Sequence, residues 1–232
     1  MIPDQASTLP CSWRKLIVMS IISWVLVAAA STMDARIAEA VHRSSIHPWM
    51  HKPLATAVKS LGVYYWFTIP AAIIAGLFHR FRLRAAIFVF MTGLVCLLGN
   101  LLKWIIGRIR PFRLEQYPGT AAPFHIDPFH HSWEGLVTQT NLAFPSGHTM
   151  VAFATATALA ILWPRWRWAY YFAAALVAAE RVLENAHWLS DTVGAAGLAV
   201  CGVHLMWRII LPWVTATPQI KLEPQPAVNL NQ

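Results

Sequence analysis

The sequence predicts an all-α fold, a bundle of six transmembrane helices. Of its 232 residues, 57% are hydrophobic and only 12% are charged, about half the charge of a typical soluble domain. The apolar residues gather in six runs, and a transmembrane helix needs about 20 such residues. This composition excludes an ordinary soluble domain. It also excludes a disordered chain, which requires more charge and fewer aromatic residues.

The six apolar runs define the helices of the predicted bundle. Spans four to six are rich in alanine and glycine, which lets helices pack closely within lipid. Residues 1–213 form a single integral-membrane domain, and 214–232 form a disordered cytoplasmic tail with three Pro. The first run has an alternative interpretation as a cleaved signal peptide, since it ends in the small residues 28–31. The predicted spans are 16–31, 61–78, 85–106, 146–163, 168–183 and 192–213.

Basic residues in the short loops set the predicted orientation. Loops 79–84 and 164–167 are basic and contain no acidic residue, which is typical of cytoplasmic loops. Arg14 and Lys15 place the N-terminus on the same side, and an even number of spans then places the C-terminus there too. The net charge of +8 is therefore explained by the membrane and its lipids, without nucleic acid. The segments predicted to face outward are 32–60, 107–145 and 184–191.

The first of three polar clusters follows span three. Lys103 and Arg110 are seven residues apart, so a helix continued through Arg110 would present both on one face, until Pro111 ends it. Lys103 lies deeper than an interfacial anchor requires, and charges at membrane depth indicate function. We expect Arg108, by contrast, to be an interfacial cation that extends its head group to the membrane surface.

The second cluster, residues 145–149, opens span four. Ser146 suits an N-cap, and the first turn of a helix has backbone N–H groups without partners. Gly147 lets an anion approach the backbone closely because it has no Cβ. With His148 beside it, this helix start predicts a seat for phosphate or an oxyanion. A simple capped helix with an interfacial histidine is the alternative.

The third cluster lies between spans five and six and includes Arg181, His187 and Asp191. His187 and Asp191 are spaced four residues apart, so a helix would bring the carboxylate to the imidazole. Such a pair fixes the tautomer of the histidine and raises the basicity of its far nitrogen. A structural His–Asp hydrogen bond at a helix start is the alternative.

The predicted topology brings all three clusters to the outer face. Their cations, histidines and helix N-terminus suit a phosphate dianion, whose transition state carries charge on its oxygens. No carboxylate cluster suited to Mg²⁺ or Zn²⁺ accompanies them, so we expect no metal and no other cofactor. A metal site in segment 111–145 is an alternative whose spacing matches no standard ligand pattern. Its members would be His125, Asp127, His130, His131 and Glu134.

The three clusters resemble the signature of the type 2 phosphatidic acid phosphatase superfamily, which includes membrane lipid phosphatases and soluble vanadium haloperoxidases. Order, spacing and predicted topology all agree. One departure is Glu180, since the family usually has Ser before the arginine of the third motif. Ser would add one hydrogen bond to the phosphate, whereas Glu180 is suited to pair with a cation. The matching residues are Lys103-x6-Arg110-Pro111, Pro145-Ser146-Gly147-His148 and Arg181-x5-His187-x3-Asp191.

The resemblance implies a catalytic core from helices three to six and a role for each motif residue. His187 would attack phosphorus and form a phosphohistidine. Asp191 would orient His187, and His148 would protonate the leaving group. Water would then hydrolyse the intermediate, and no metal is implied. The residues implied in phosphate binding are Lys103, Arg110, Ser146, Gly147 and Arg181.

The resemblance also implies an integral lipid phosphatase. The short chain favours the bacterial inner membrane, and the predicted topology places the site on its periplasmic face. The substrate would be a lipid phosphomonoester or diphosphate: undecaprenyl diphosphate is favoured, and phosphatidylglycerol phosphate, phosphatidic acid and lipid A remain alternatives. A lipid-to-lipid phosphotransferase would use the same site. A non-catalytic transporter or scaffold would need neither His187 nor His148. The expected partners are the lipid phosphate and the bilayer, and the sequence does not determine the oligomeric state.

Overall fold

The computed structural model describes residues 11–44, 53–78, 82–112 and 142–216. Within these ranges the chain is helical and has no strand, although an isolated antiparallel bridge joins Ile109 to Leu142. The predicted all-α class is therefore confirmed. The described residues form eight α-helices: α1 Trp13–Ser31, α2 Asp34–Arg43, α3 Pro53–Ser60, α4 Tyr65–Leu77, α5 Arg82–Ile106, α6 Gly147–Leu162, α7 Arg167–Leu183 and α8 Leu189–Ala216.

Three of these helices are long and apolar enough to cross a membrane: α1, α5 and residues Leu189–Pro212 of α8. Their outward faces carry large apolar side chains that a soluble protein would bury. On α1, for example, Ile17, Ile21 and Val25 recur every fourth residue and are all more than half exposed. Lipid tails would cover such a face, so the fold has the character of a multi-pass membrane protein.

The other predicted spans coincide with shorter helices. α4 contains Pro70 within its length, α6 has 16 residues and α7 has 17. The count of six spans remains a prediction, because these three helices are not long enough to demonstrate a crossing by length alone. Two short helices that were not predicted, α2 and α3, occupy part of the segment 32–60. Residues 113–141, with all five candidate metal ligands, and residues 217–232 of the predicted tail lie outside the described residues.

α6 lies at the centre of the bundle and packs against α5, α7 and α8. Its alanines face these neighbours, and Ala154 and Ala158 are fully buried. Short side chains let the surrounding helices approach closely, as the composition of spans four to six predicts. This packing brings the end of α5, the start of α6, the end of α7 and the start of α8 to one end of the bundle.

α1 packs along α8 and so belongs to the same bundle. The Oγ of Ser20 donates a hydrogen bond to Sγ of Cys201 at 3.6 Å. A Cβ placed on Gly197 would lie 2.5 Å from Oγ of Ser23, so glycine is needed for this close approach. α1 therefore makes specific contacts with α8, and it leads directly into α2, which reaches the polar end of the bundle.

Candidate active site

A cavity of about 860 Å³ opens where the helix ends meet. It is lined by residues from all three polar clusters and by the turn between α3 and α4, at Gly62 to Tyr64. Its volume is in the range of small-molecule binding sites. The predicted site residues that line it are Lys103, Arg110, Gly147, His148 and His187.

The first motif reaches the cavity in a different way from the one predicted. α5 ends at Ile106, and Gly107 follows with a φ of 63°, the left-handed conformation that glycine adopts easily at helix ends. The expectation of one helical face through Arg110 is therefore wrong. Lys103 lies in the last turn of α5 with 5% of its surface exposed. Arg110 comes from an extended segment beyond it, where its Nε donates to the carbonyl of Leu142 at 3.2 Å.

The second motif begins α6 as predicted, but Ser146 does not cap the helix with its side chain. Its Oγ accepts a hydrogen bond from Oγ1 of Thr149 at 3.0 Å, and its backbone N–H donates to the carbonyl of Asp191. Ser146 is fully buried and is not among the cavity-lining residues. Gly147 does line the cavity, and a Cβ there would lie 3.5 Å from Nζ of Lys103.

His187 lies in the connection between α7 and α8 with 2% of its surface exposed. Its Nδ1 faces Oδ2 of Asp191 at 3.6 Å, which is an electrostatic contact rather than a hydrogen bond. Among the described residues, Nδ1 has no hydrogen-bond partner. Asp191 itself lies behind the imidazole and does not line the cavity.

Burial lowers the pKa of His187 well below its usual value, and the nearby charges of Arg110, Lys103 and Arg181 lower it further. A hydrogen bond with the backbone of Ala143 acts in the opposite sense, as the smallest of these effects. The lowered pKa keeps the ring neutral at neutral pH. A neutral imidazole is the form that can act as a nucleophile.

Arg181, in the last turn of α7, is held by carboxylates. Its Nε donates to Oε2 of Glu180 at 2.6 Å, its Nη2 donates to Oε1 of Glu180 at 2.7 Å, and Nη2 also contacts Glu184. Glu184 accepts a further hydrogen bond from Nζ of Lys59 at 2.9 Å. Glu180 thus pairs with a cation, as expected of the residue that replaces the family serine. Arg181 is not among the residues that line the cavity.

Lys59 is a residue that the sequence did not single out. It lies in the last turn of the short helix α3, and burial lowers the pKa of its ammonium group, as does the nearby charge of Arg181. It adds a cation to the surroundings of His148, which lies within electrostatic range of both Lys59 and Arg181. Nothing in the sequence spacing connects α3 with the third motif.

Arg108 contradicts the expectation of an interfacial cation. It is buried, and its guanidinium contacts Asp191, Ser190 and Asp34. Its Cζ also lies 5.1 Å from the centre of the Trp188 ring. The expectation was wrong because the chain folds back after Gly107 and carries Arg108 into the bundle instead of towards the surface. Asp34 was also missed, although a buried arginine requires a carboxylate partner.

Comparison with known families gives one match that covers more than half of the chain. A model of the PAP2 superfamily matches residues 84–214. This range holds all three polar clusters, and it excludes Asp34 and Lys59.

Two curated relatives share part of the sequence. A lipid A 1-phosphatase from Rhizobium etli is 39% identical over 108 residues, which are 46% of this chain and 40% of the relative. An undecaprenyl-diphosphatase from Sulfolobus acidocaldarius is 24% identical over 131 residues, 56% of each protein. The chain therefore spans about half, or less, of the length of the curated relatives it matches.

One solved structure resembles the whole bundle. It is the crystal structure of a transmembrane PAP2-type phosphatidylglycerolphosphate phosphatase from Bacillus subtilis. The TM-score is 0.57 at 21% sequence identity, over 89% of this chain and 99% of the other. At this identity the similarity concerns the fold.

Proposed function

The chain belongs to the PAP2 superfamily, and on that premise we propose that it is an integral-membrane lipid phosphatase. It hydrolyses a lipid phosphomonoester or diphosphate through a phosphohistidine on His187. The observation that carries this proposal is the shared cavity, where two histidines and two cations from separate parts of the chain meet. Chance would not gather these groups at one site, since each is costly to bury.

The geometry supports a role for each residue. Nδ1 of His187 faces Asp191, which leaves Nε2 to attack phosphorus. As the N–P bond forms and the P–O bond to the leaving group breaks, His148 donates a proton to the departing oxygen. Lys103 and Arg110 hold the phosphoryl oxygens, and the N-terminus of α6 at Gly147 adds backbone N–H groups. Water then cleaves the N–P bond and releases phosphate.

The shape of the cavity supports a lipid substrate. Besides the polar groups, it is lined by Gly93, Cys96 and Leu97 on α5. Gly93 lies ten residues before Lys103, which corresponds to about 15 Å along the helix. The cavity therefore extends from the cations into the apolar part of the bundle, where the first carbons of an acyl or prenyl chain would lie.

The choice among lipids rests on similarity to relatives. The higher identity belongs to the lipid A 1-phosphatase, and the undecaprenyl-diphosphatase supports the substrate favoured from the sequence. We propose that residues 1–213 form one domain in the inner membrane, with both termini in the cytoplasm and the cavity at the periplasmic leaflet. The charge of the short loops supports this orientation.

The test is a phosphate-release assay with purified full-length protein in detergent and EDTA. The substrates are lipid A 1-phosphate, undecaprenyl diphosphate, phosphatidylglycerol phosphate and phosphatidic acid, each without an added acceptor. We expect wild-type protein to release phosphate from at least one lipid, and His187→Ala to remain folded with activity reduced by at least about a thousandfold. Brief incubation with labelled substrate should leave acid-labile label on wild-type protein only.

His204→Ala is the matched control, because it removes a different histidine, which is partly buried on α8 and does not line the cavity. It should behave as wild type. Retained activity in His187→Ala would refute the assignment of His187 as the nucleophile. Loss of wild-type activity in EDTA would refute the metal-free mechanism, and transfer to a lipid acceptor without phosphate release would identify a phosphotransferase.

A further inference from the structure

A closed network of polar side chains lies behind His187, on the side away from the cavity. Its members are Asp34, Arg108, Ser190 and Asp191, each at most 3% exposed. None of these four side chains lines the cavity. Asp34 begins α2, which lies outside the range that the family model matches.

The network is a ring of hydrogen bonds centred on Arg108. Its Nη1 donates to Oδ1 of Asp191 at 2.5 Å and to Oγ of Ser190 at 2.7 Å. Its Nη2 donates to Oδ2 of Asp34 at 2.7 Å. The Oγ of Ser190 then donates to the same oxygen of Asp34 and closes the ring. Asp34 also accepts the backbone N–H of Ser190 at 3.0 Å, so it holds the first turn of α8.

The ring fixes how Asp191 faces His187. Oδ1 of Asp191 is occupied by Arg108, and Oδ2 accepts the backbone N–H of Trp188 at 2.9 Å. Oδ2 is also the oxygen that faces Nδ1 of His187. Because both oxygens have fixed partners, the carboxylate cannot rotate away from the imidazole without breaking at least one buried hydrogen bond.

The charges of the ring suit a reaction at His187. Two carboxylates share one guanidinium, so the ring carries one more negative than positive formal charge. Attack by Nε2 gives the imidazole a positive charge, and in a buried site that charge interacts strongly with its surroundings. Without the Asp34 carboxylate, the charge of Arg108 would balance the charge of Asp191. With both carboxylates present, one negative charge is left over to stabilise the imidazolium.

We propose that Asp34 and Arg108 are positioning residues, which orient Asp191 and maintain its charge so that Asp191 stabilises the imidazolium of His187 as the N–P bond forms. Ser190 completes the ring that holds them. The inference rests on the proposed function, in which His187 is the nucleophile. It extends the reaction centre beyond the three motifs to a helix near the start of the chain.

The experiment measures single-turnover phosphohistidine formation, kcat and KM for Asp34→Asn and Asp34→Ala in the full-length protein. Asn keeps an oxygen for the Ser190 N–H but removes the charge. We expect Asp34→Asn to recover most of the thermal stability that Ala loses, while its single-turnover rate stays about ten- to hundredfold below wild type. KM should remain within about twofold, because the ring does not touch the substrate. Glu39 is an exposed carboxylate on the same helix, and Glu39→Gln should leave the single-turnover rate and KM unchanged.

Ser190→Ala provides a second, milder variant that opens the ring without removing a charge. We expect its single-turnover rate to fall by about three- to tenfold with KM unchanged. If Asp34→Asn does not fold, the rate of Ser190→Ala provides the test of the proposal. A wild-type rate in folded Asp34→Asn, or in Ser190→Ala, would overturn the inference. If His187→Ala is inactive in that case, the proposed function stands, whereas an active His187→Ala refutes the function itself.

Discussion

Glu180 gives the guanidinium of Arg181 hydrogen-bond partners that a serine at this position would not provide. With serine at this position, the guanidinium would keep only Glu184 as a carboxylate partner, and the family resemblance implies that the serine hydroxyl would add a hydrogen bond to phosphate. Here Glu180 occupies Nε and Nη2 of Arg181, and Glu184 shares the same guanidinium. If Arg181 binds phosphate, as the family resemblance implies, the phosphate has to compete with two carboxylates for this cation. We expect this competition to weaken substrate binding relative to a serine-containing site.

Glu180→Ser should lower the KM for a lipid phosphate by about tenfold or more, since a hydrogen bond to a charged group contributes about 1.5 kcal/mol or more. Arg181 would keep Glu184 as a partner, so the substitution leaves no unpaired buried charge. Michaelis–Menten kinetics in detergent micelles at fixed ionic strength would measure the effect. Glu39→Ser is the control, because Glu39 pairs with Arg43 on the exposed surface of α2. An unchanged or raised KM in Glu180→Ser would show that Arg181 does not bind the substrate.

At the scale of elements, the site depends on how closely the α3–α4 turn approaches the start of α6. A Cβ on Gly62 would lie 2.6 Å from Cβ of His148 and 2.8 Å from its carbonyl oxygen. Both distances are too short for any real contact, and the oxygen belongs to the backbone, which cannot rotate away. Glycine at position 62 therefore sets the position of the helix start that carries His148.

Gly62→Ala should reduce kcat by about ten- to hundredfold if His148 donates the proton as we propose, because small displacements of a group that transfers a proton are costly to the rate. Thermal unfolding should change much less, since the turn borders the cavity rather than the core. Gly202→Ala on α8 is the matched control, because the nearest atoms to its added Cβ would belong to the Val95 side chain, at 3.0 Å or more. Equal kinetics for the two variants would show that the Gly62 contact does not position His148.

At the scale of the whole molecule, charge is divided between the two ends of the bundle. The five acidic residues of the described ranges are Asp34, Glu39, Glu180, Glu184 and Asp191, and four of them hold cations at the site end. The opposite end carries arginines that stack on tryptophan rings, such as Arg84 over Trp163 and Arg167 over Trp168. Arginine and tryptophan side chains at this end suit the cytoplasmic head-group region.

This division predicts opposite labelling at the two ends. In a background with Cys11, Cys96 and Cys201 replaced by alanine, Glu39→Cys should react with a membrane-impermeant maleimide in spheroplasts. Arg165→Cys, in the loop before α7, should react only after the membrane is permeabilised. Both positions are exposed in the fold, so a difference reports the side of the membrane. The reverse pattern would put the cavity on the cytoplasmic face.

The membrane character and the polar clusters could be predicted from the sequence, because both depend on local order along the chain. An apolar run indicates a membrane helix wherever it packs. Lys103, His148 and His187 stood out because polar groups beside such runs are rare. The meeting of these residues in one cavity followed from the order of spans, and the structure brings the three of them together.

The partners of each charge were decided only by the tertiary structure. Arg108 pairs with Asp34 and Asp191, which are 74 and 83 residues away along the chain. A charged residue beside a span gives the same sequence pattern whether its side chain reaches the lipid surface or points into the bundle. For Arg108, the turn at Gly107 and the packing of α2 on α8 place the side chain inside the bundle. Sequence thus determined which polar residues the site contains, and packing determined which of them line the cavity and which lie behind His187.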